Sequence, residues 1–151
     1  MLYPIYKPFI SQIEKDLVND CLDSTWISSK GKYIRMFEDK VSKFTGSKYA
    51  VAVSNGTVAL HLALLAHDIG IDDEVLLPDF TYIATANSVL YVNASPVFCD
   101  VDPNNWNIDL NKIIDKINSK TKAIIVPNIY GNPANFDLLN QISKKYNLIV
   151  I

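Results

Sequence analysis

No stretch of this sequence approaches the ~20 consecutive apolar residues that a membrane-spanning helix needs. A secretory leader is not expected either. Met1 to Phe9 is short, is interrupted by Pro4 and Pro8, and lacks a continuous apolar centre. These absences lead to the expectation of a soluble, cytoplasmic protein with no membrane partner. Cysteine is scarce, Cys21 and Cys99 being the two present. Their spacing makes no disulfide framework and fits no metal or redox motif, so both read as small buried hydrophobes. Histidine is equally scarce. Neither His61 nor His67 has a partner at a ligand spacing, so no metal site is expected. Charge of one sign is lacking too: the formal net charge is -2, and no dense basic run interrupts it. Nothing here draws the chain to nucleic acid. Internal repeats, low-complexity tracts and linkers are absent.

What is present suits a globular domain. The chain has 151 residues, 49% of them hydrophobic and 20% charged, enough to bury a core. From Tyr49 onward two kinds of segment alternate. Apolar, β-branched runs at Tyr49–Val53, Glu74–Leu77, Pro96–Cys99, Lys122–Val126 and Leu148–Ile151 read as strands buried on both faces. Helical spacing joins Leu60, Ala63, Leu64 and His67, and then Ile83, Ala86 and Leu90. Leu110, Ile113, Ile114 and Ile117 form a third stripe opened by Asp109. Leu138, Leu139, Ile142 and Tyr146 form a fourth opened by Asn135. This alternation predicts an α/β fold, a mainly parallel sheet with helices on both faces. Residues 1–48 differ in character. There, Ser11 and Glu14 make a capping box ahead of Ile13, Leu17 and Cys21. A second helix carries Tyr33, Phe37, Val41 and Phe44 and stops at Gly46. Between these helices lies the polar loop from Ser24 to Gly31, with Trp26 in it. The expected division is therefore a helical segment over 1–48 and the front of an α/β domain over 49–151.

In parallel sheets ligands sit at the carboxyl ends of the strands, which directs attention to the loops there. Ser54-Asn55-Gly56-Thr57 follows the first predicted strand and enters a helix. Free amides, a helix dipole and a glycine suit one phosphate group, and a plain capped helix entry is the alternative. Gly-x-Gly-x-x-Gly is absent, and so is a Walker loop. Pro78-Asp79-Phe80-Thr81-Tyr82 follows the second strand. Its aromatics either stack on a planar ring or pack under the next helix. Asp100 and Asp102 invite a metal or acid/base role, but the reading preferred is structural, one carboxylate closing a turn and the other making an Asx turn before Pro103. Pro127 to Pro133 has tight-turn composition, with Asn128 and Tyr130 able to face a ligand.

Taken in order, these segments resemble the DegT/DnrJ/EryC1/StrS family of sugar aminotransferases, above all members that make perosamine, viosamine and related 4-amino-4,6-dideoxysugars. The resemblance rests on Trp26-Ile27-Ser28-Ser29-Lys30-Gly31 with Phe37-Glu38, and on Ser54 through Leu64. It continues in Pro78 through Asn87, Pro96 through Asp102, and Tyr130-Gly131-Asn132-Pro133. It is collinear from about residue 3 to the end and covers the front ~40% of a typical member.

The resemblance implies an aspartate-aminotransferase-like large domain, truncated, with pyridoxal 5′-phosphate as cofactor. Gly56, Thr57 and the Val58 amide would hold the phosphate, and Tyr82 would stack on the pyridine ring. Trp26, Ser28, Ser29, Phe80 and Asn128 would face the nucleotide sugar, and the site would be built in a homodimer. The implied reaction moves an amino group, typically from glutamate, onto a nucleotide-linked 4-keto-6-deoxysugar. The family's Schiff-base lysine and pyridinium acid are expected beyond Ile151, so this stretch alone is expected to be inactive. Asn128 stands where relatives commonly carry histidine, and Asn135 where they commonly carry aspartate. Asn128 hydrogen-bonds but moves no proton near neutrality. Two other readings stay open: a catalytically inactive binding or assembly module, and a pyridoxal-phosphate-dependent sugar dehydratase relative.

Overall fold

The computed structural model describes residues 7–151. The first six residues of the predicted N-terminal segment lie outside the described residues. The described chain forms two compact units that divide after Ala52.

The first unit holds two helices. Helix α1 (Gln12–Asp23) begins at the predicted capping box, where the Ser11 hydroxyl accepts from the Ile13 amide and the Ser11 amide donates to Glu14 at 2.7 Å. Helix α2 (Lys32–Thr45) ends at Gly46, whose φ of 71° is left-handed. Glycine adopts that conformation without a Cβ penalty. Neither helix buries a residue fully. The stripe of Tyr33, Phe37, Val41 and Phe44 exists, but Tyr33 and Val41 alone are partly covered.

Tyr49–Val53, expected as the first strand, forms none. A strand exists only where a neighbour takes its amides, and no neighbouring strand does so among the described residues. The Ala52 amide goes instead to the Glu38 carboxylate at 2.9 Å.

In the second unit a four-stranded parallel sheet runs in the order β2-β1-β3-β4. Its strands are β1 (Glu74–Pro78), β2 (Ser95–Cys99), β3 (Thr121–Ile124) and β4 (Ile149–Val150). They correspond to the last four predicted runs, with ends shifted by a residue or two. Val75 and Leu77 belong to one apolar cluster, with Leu64 of α3 (Gly56–Ala66) and Val89 of α4 (Ala84–Tyr91). Leu76, between them in sequence, belongs to the other, with Ile124, Ile113 and Leu139 and Ile142 of α5 (Phe136–Tyr146). Alternate residues of β1 thus feed two cores, as a strand covered on both faces requires.

Two helical stripes depart from expectation. On α4 the buried face is Thr85, Ala86, Ser88 and Val89, while Ile83 and Leu90 are exposed. The hydroxyls bury because they are bonded: Thr85 to Thr81 at 3.0 Å, and Ser88 to the Thr85 carbonyl at 2.8 Å. The stripe opened by Asp109 is a single 3₁₀ turn, Ile113–Lys116, rather than an α-helix. Leu110 and Ile113 are buried three residues apart, and Ile114 is exposed. That i,i+3 spacing suits a 3₁₀ turn. A segment this short and rich in isoleucine nucleates an α-helix poorly.

Both cysteines are free thiols, and burial pushes the Cys99 thiol upward. Among the described residues no helix is long and apolar enough to cross a membrane.

Leu76 is fully buried at the sheet centre. Leu76→Ala is expected to cost roughly 2–5 kcal/mol in equilibrium denaturant unfolding. A loss below about 1 kcal/mol would contradict its place in the core.

Candidate functional site

The carboxyl ends of β1 and β3, adjacent in the sheet, send out two aromatic loops. The loop after β1 is pinned at its start, where the Asp79 amide donates to the Cys99 carbonyl at 2.9 Å. It then presents Phe80, Thr81 and Tyr82. The segment after β3 turns sharply at Tyr130, with φ of 51°, and at Gly131, with φ of 81°. Phe80, Thr81, Tyr82, Ile129 and Tyr130 line one cavity of about 280 Å³. Tyr82 is 80% exposed and Tyr130 95% exposed. Tyr82 therefore does not pack under the next helix, which was one of its two readings from sequence. Phe80 behaves differently: its ring lies 5.3 Å from that of Trp106. Two large aromatic faces at strand ends leave apolar area for a planar ligand to cover.

The start of α3 is a second feature. Asn55 caps it, its side-chain oxygen accepting from the Val58 amide at 3.0 Å. The Val58 amide, one of three expected to hold a phosphate, is thus engaged by the cap. The Gly56 and Thr57 amides have no partner among the described residues, as expected for the first turn of a helix. A Cβ added at Gly56 meets nothing within 4 Å. The chain's own packing does not demand glycine there. Thr57 adds a half-buried hydroxyl. Gly56, Thr57 and Val58 do not line the aromatic cavity, although the helices that begin at Gly56 and Ala84 pack on each other.

Asn128 is exposed and lies outside that cavity. Its side-chain oxygen accepts from the Ala134 amide at 3.2 Å and closes its own turn. The two acids after β2 are also engaged by the chain itself. Asp100 pairs with Lys112 at 2.8 Å. Asp102 closes a turn, accepting from the Asn104 amide at 2.8 Å and from the Asn105 side chain at 3.1 Å.

In the first unit, Trp26, Ile27 and Ser28 line a cavity of about 310 Å³ with Gly31 and Tyr33. Ser29 is exposed beside them. The turn before Trp26 uses a left-handed Thr25 with φ of 61°. Sequence reasoning missed the polar cluster beneath this loop: Asp20 accepts from Lys32 at 2.6 Å and from the Tyr33 hydroxyl at 2.8 Å. The bond from Lys32, and then that from Tyr33, holds the Asp20 carboxyl below its ordinary range. It also missed Trp106, whose only signal was an aromatic residue among asparagines in a turn.

Comparison with known proteins places the chain in a family. The model of the DegT/DnrJ/EryC1/StrS aminotransferase family matches residues 8–151. GDP-perosamine synthase of Escherichia coli O157:H7 is 49% identical over 148 residues, covering 98% of this chain and 41% of that protein. The structure of the aminotransferase from Psychrobacter cryohalolentis aligns with a TM-score of 0.91 at 40% identity, over 95% of this chain and 36% of that one. A structure of GDP-4-keto-6-deoxymannose-3-dehydratase with a trapped PLP–glutamate geminal diamine aligns with a TM-score of 0.90 at 30% identity. That alignment covers 99% of this chain and 40% of the dehydratase. The chain thus spans about two fifths of the length of these relatives.

A carboxyl titration by NMR should find the Asp20 midpoint below the value of about 3.9 usual for aspartate. Lys32→Met should move it upward, because the hydrogen bond that most favours the charged form is gone. An unchanged midpoint would contradict the Lys32–Asp20 contact.

Proposed function

The chain belongs to the DegT/DnrJ/EryC1/StrS aminotransferase family, and from that premise we propose that the whole protein transfers an amino group from glutamate to a nucleoside-diphosphate 4-keto-6-deoxysugar. The product is a 4-amino-4,6-dideoxysugar nucleotide, as in the making of perosamine. The family depends on pyridoxal 5′-phosphate. The observation that carries the reading for this chain is the start of α3, where the Gly56 and Thr57 amides have no partner among the described residues and Thr57 adds a hydroxyl.

That geometry suits a phosphate. In this reading Gly56 and Thr57 donate their amides to it, the helix dipole favours its charge, and the Thr57 hydroxyl adds a bond. Val58 supplies a third amide only by giving up its bond to Asn55. Tyr82 offers its exposed ring to the pyridine face. When bound, the cofactor supplies an electron sink for the amino-group chemistry. By family resemblance, Phe80 and Asn128, and separately Trp26, Ser28 and Ser29 of the first unit, are proposed as residues that face the nucleotide sugar. The residues named here bind and orient. The groups that would move protons, a lysine and an acid, are assigned to sequence beyond Ile151. The proposed division of labour is a substrate-loop segment over 1–48 and the front of the cofactor domain over 49–151. The assembled enzyme is proposed to be a cytoplasmic homodimer.

A second reading, a sugar dehydratase with the same cofactor, is supported by the similarity to GDP-4-keto-6-deoxymannose-3-dehydratase. By family resemblance, the coding sequence beyond codon 151 separates the two. A Ser-x-His-x-x-Lys-like motif favours the aminotransferase, and histidine at the lysine position favours the dehydratase.

The test uses full-length protein with pyridoxal phosphate, glutamate and GDP-4-keto-6-deoxymannose. Mass spectrometry is expected to find the amino sugar nucleotide and 2-oxoglutarate; a deoxygenated sugar in its place would overturn the aminotransferase reading. Thr57→Ala should weaken cofactor binding by roughly 1–3 kcal/mol, the range for losing a donor to a charged acceptor. Unchanged affinity would refute the phosphate assignment.

A further inference from the structure

Trp106 sits where its own conformation argues against it. Its φ is 64°, in the left-handed region that bulky side chains rarely enter and that asparagine tolerates. Asparagines stand at 104, 105 and 107, yet position 106 carries an indole. The turn does not need that indole to close. The Trp106 amide donates to the Asp102 carbonyl at 2.8 Å, and the Asp102 amide donates to the Asn107 carbonyl at 2.9 Å. The ring is no core filler either, being 53% exposed. Its aromatic partner is Phe80, with ring centroids 5.3 Å apart and planes tilted by 50°.

The same turn is bound to the opposite wall of the aromatic cavity. Asn107 is 4% exposed. Its side-chain amide donates to the carbonyls of Asn132 at 3.2 Å and Pro133 at 3.3 Å. The Asn132 side chain returns a bond to the Asn105 carbonyl at 3.1 Å. Asn132 and Pro133 directly follow Tyr130 and Gly131. One turn is therefore fastened by hydrogen bonds to the segment carrying Tyr130 and touches, through an indole, the segment carrying Phe80 and Tyr82. Trp106 does not itself line the cavity.

We infer that Trp106 is a positioning residue: its indole, held in a strained left-handed turn, braces Phe80 and so sets the sugar-facing wall of the cavity lined by Phe80, Tyr82 and Tyr130. This rests on the functional reading above, which places the nucleotide sugar against Phe80. Backbone strain kept at a site for the sake of its geometry is a recognised pattern. It also makes a clean test available, because a residue suited to the turn removes the brace while relieving the strain.

The experiment places Trp106→Asn in the full-length protein and measures two quantities. Calorimetry on cofactor-free protein gives the Kd for GDP-4-keto-6-deoxymannose, and a thermal scan gives Tm. The expected result is a Kd weakened about three- to tenfold, the equivalent of one aromatic contact, with Tm held or raised. Trp106→Phe, which keeps a ring against Phe80, should return the Kd to within about twofold of wild type. An unchanged Kd in Trp106→Asn overturns the inference. So does a weakened Kd accompanied by a fall in Tm, which identifies a merely structural role, and so does a phenylalanine variant as weak as the asparagine one. Wild-type protein that fails to bind the sugar nucleotide overturns the functional reading, and this inference with it.

Discussion

Burial of β1 on both faces is the constraint from which the α/β unit follows. Leu76 points into one apolar cluster, and Val75 and Leu77 into the other. A strand so placed has no solvent face, so its backbone must pair on both edges and helices must cover both sides. β2 and β3 supply the edges, in parallel. Each buried leucine or valine contributes roughly 1.5–3 kcal/mol, and a one-residue slip would send each of them to the opposite core. Parallel pairing then gathers the strand exits along one rim, and the loops that carry the aromatic and hydroxyl groups leave from there.

The α/β unit departs from ordinary economy in three places. Tyr82 and Tyr130 hold large rings in water although a core lies close by. Gly56 stands where the fold would accept a side chain. Trp106 and Tyr130 take left-handed backbone conformations although neither is glycine or asparagine. None of these choices helps the sheet or its two cores. Each makes sense if the unit holds an anion at one point and a flat ring at another, which is the proposed arrangement for a phosphate-bearing heterocycle and its sugar partner. The first unit shows a related pattern: two amphipathic helices present apolar stripes and bury none of them fully.

Much of this was legible in the sequence wherever hydrophobicity and period agree. β-Branched runs marked four of the strands, Asn135 marked the start of α5, and Gly46 marked the end of α2. Tyr49–Val53 has the composition of a strand, but composition does not provide a partner for its amides. The α4 stripe was misread because Thr85 and Ser88 look polar and are buried through local hydrogen bonds. The Asp109 segment was misread because apolar spacing of three and four is shared by one 3₁₀ turn and a short α-helix. Among the proposed site residues, Tyr82 stood out through its place after a strand, and Gly56 and Thr57 through theirs at a helix start. The engagement of Val58 by Asn55, the turn-closing bond of Asn128 and the Trp106–Phe80 contact depend on side-chain geometry that spacing does not encode.

The central claim is that the bare amides at the start of α3 and the ring of Tyr82 hold the two ends of one cofactor. A crystal structure of the full-length protein grown with pyridoxal 5′-phosphate tests it most directly. The account predicts phosphate oxygens about 2.7–3.2 Å from the Gly56 and Thr57 amides, with the Tyr82 ring flat against the pyridine. A cofactor whose phosphate is bound elsewhere, or whose ring lies away from Tyr82, would contradict it.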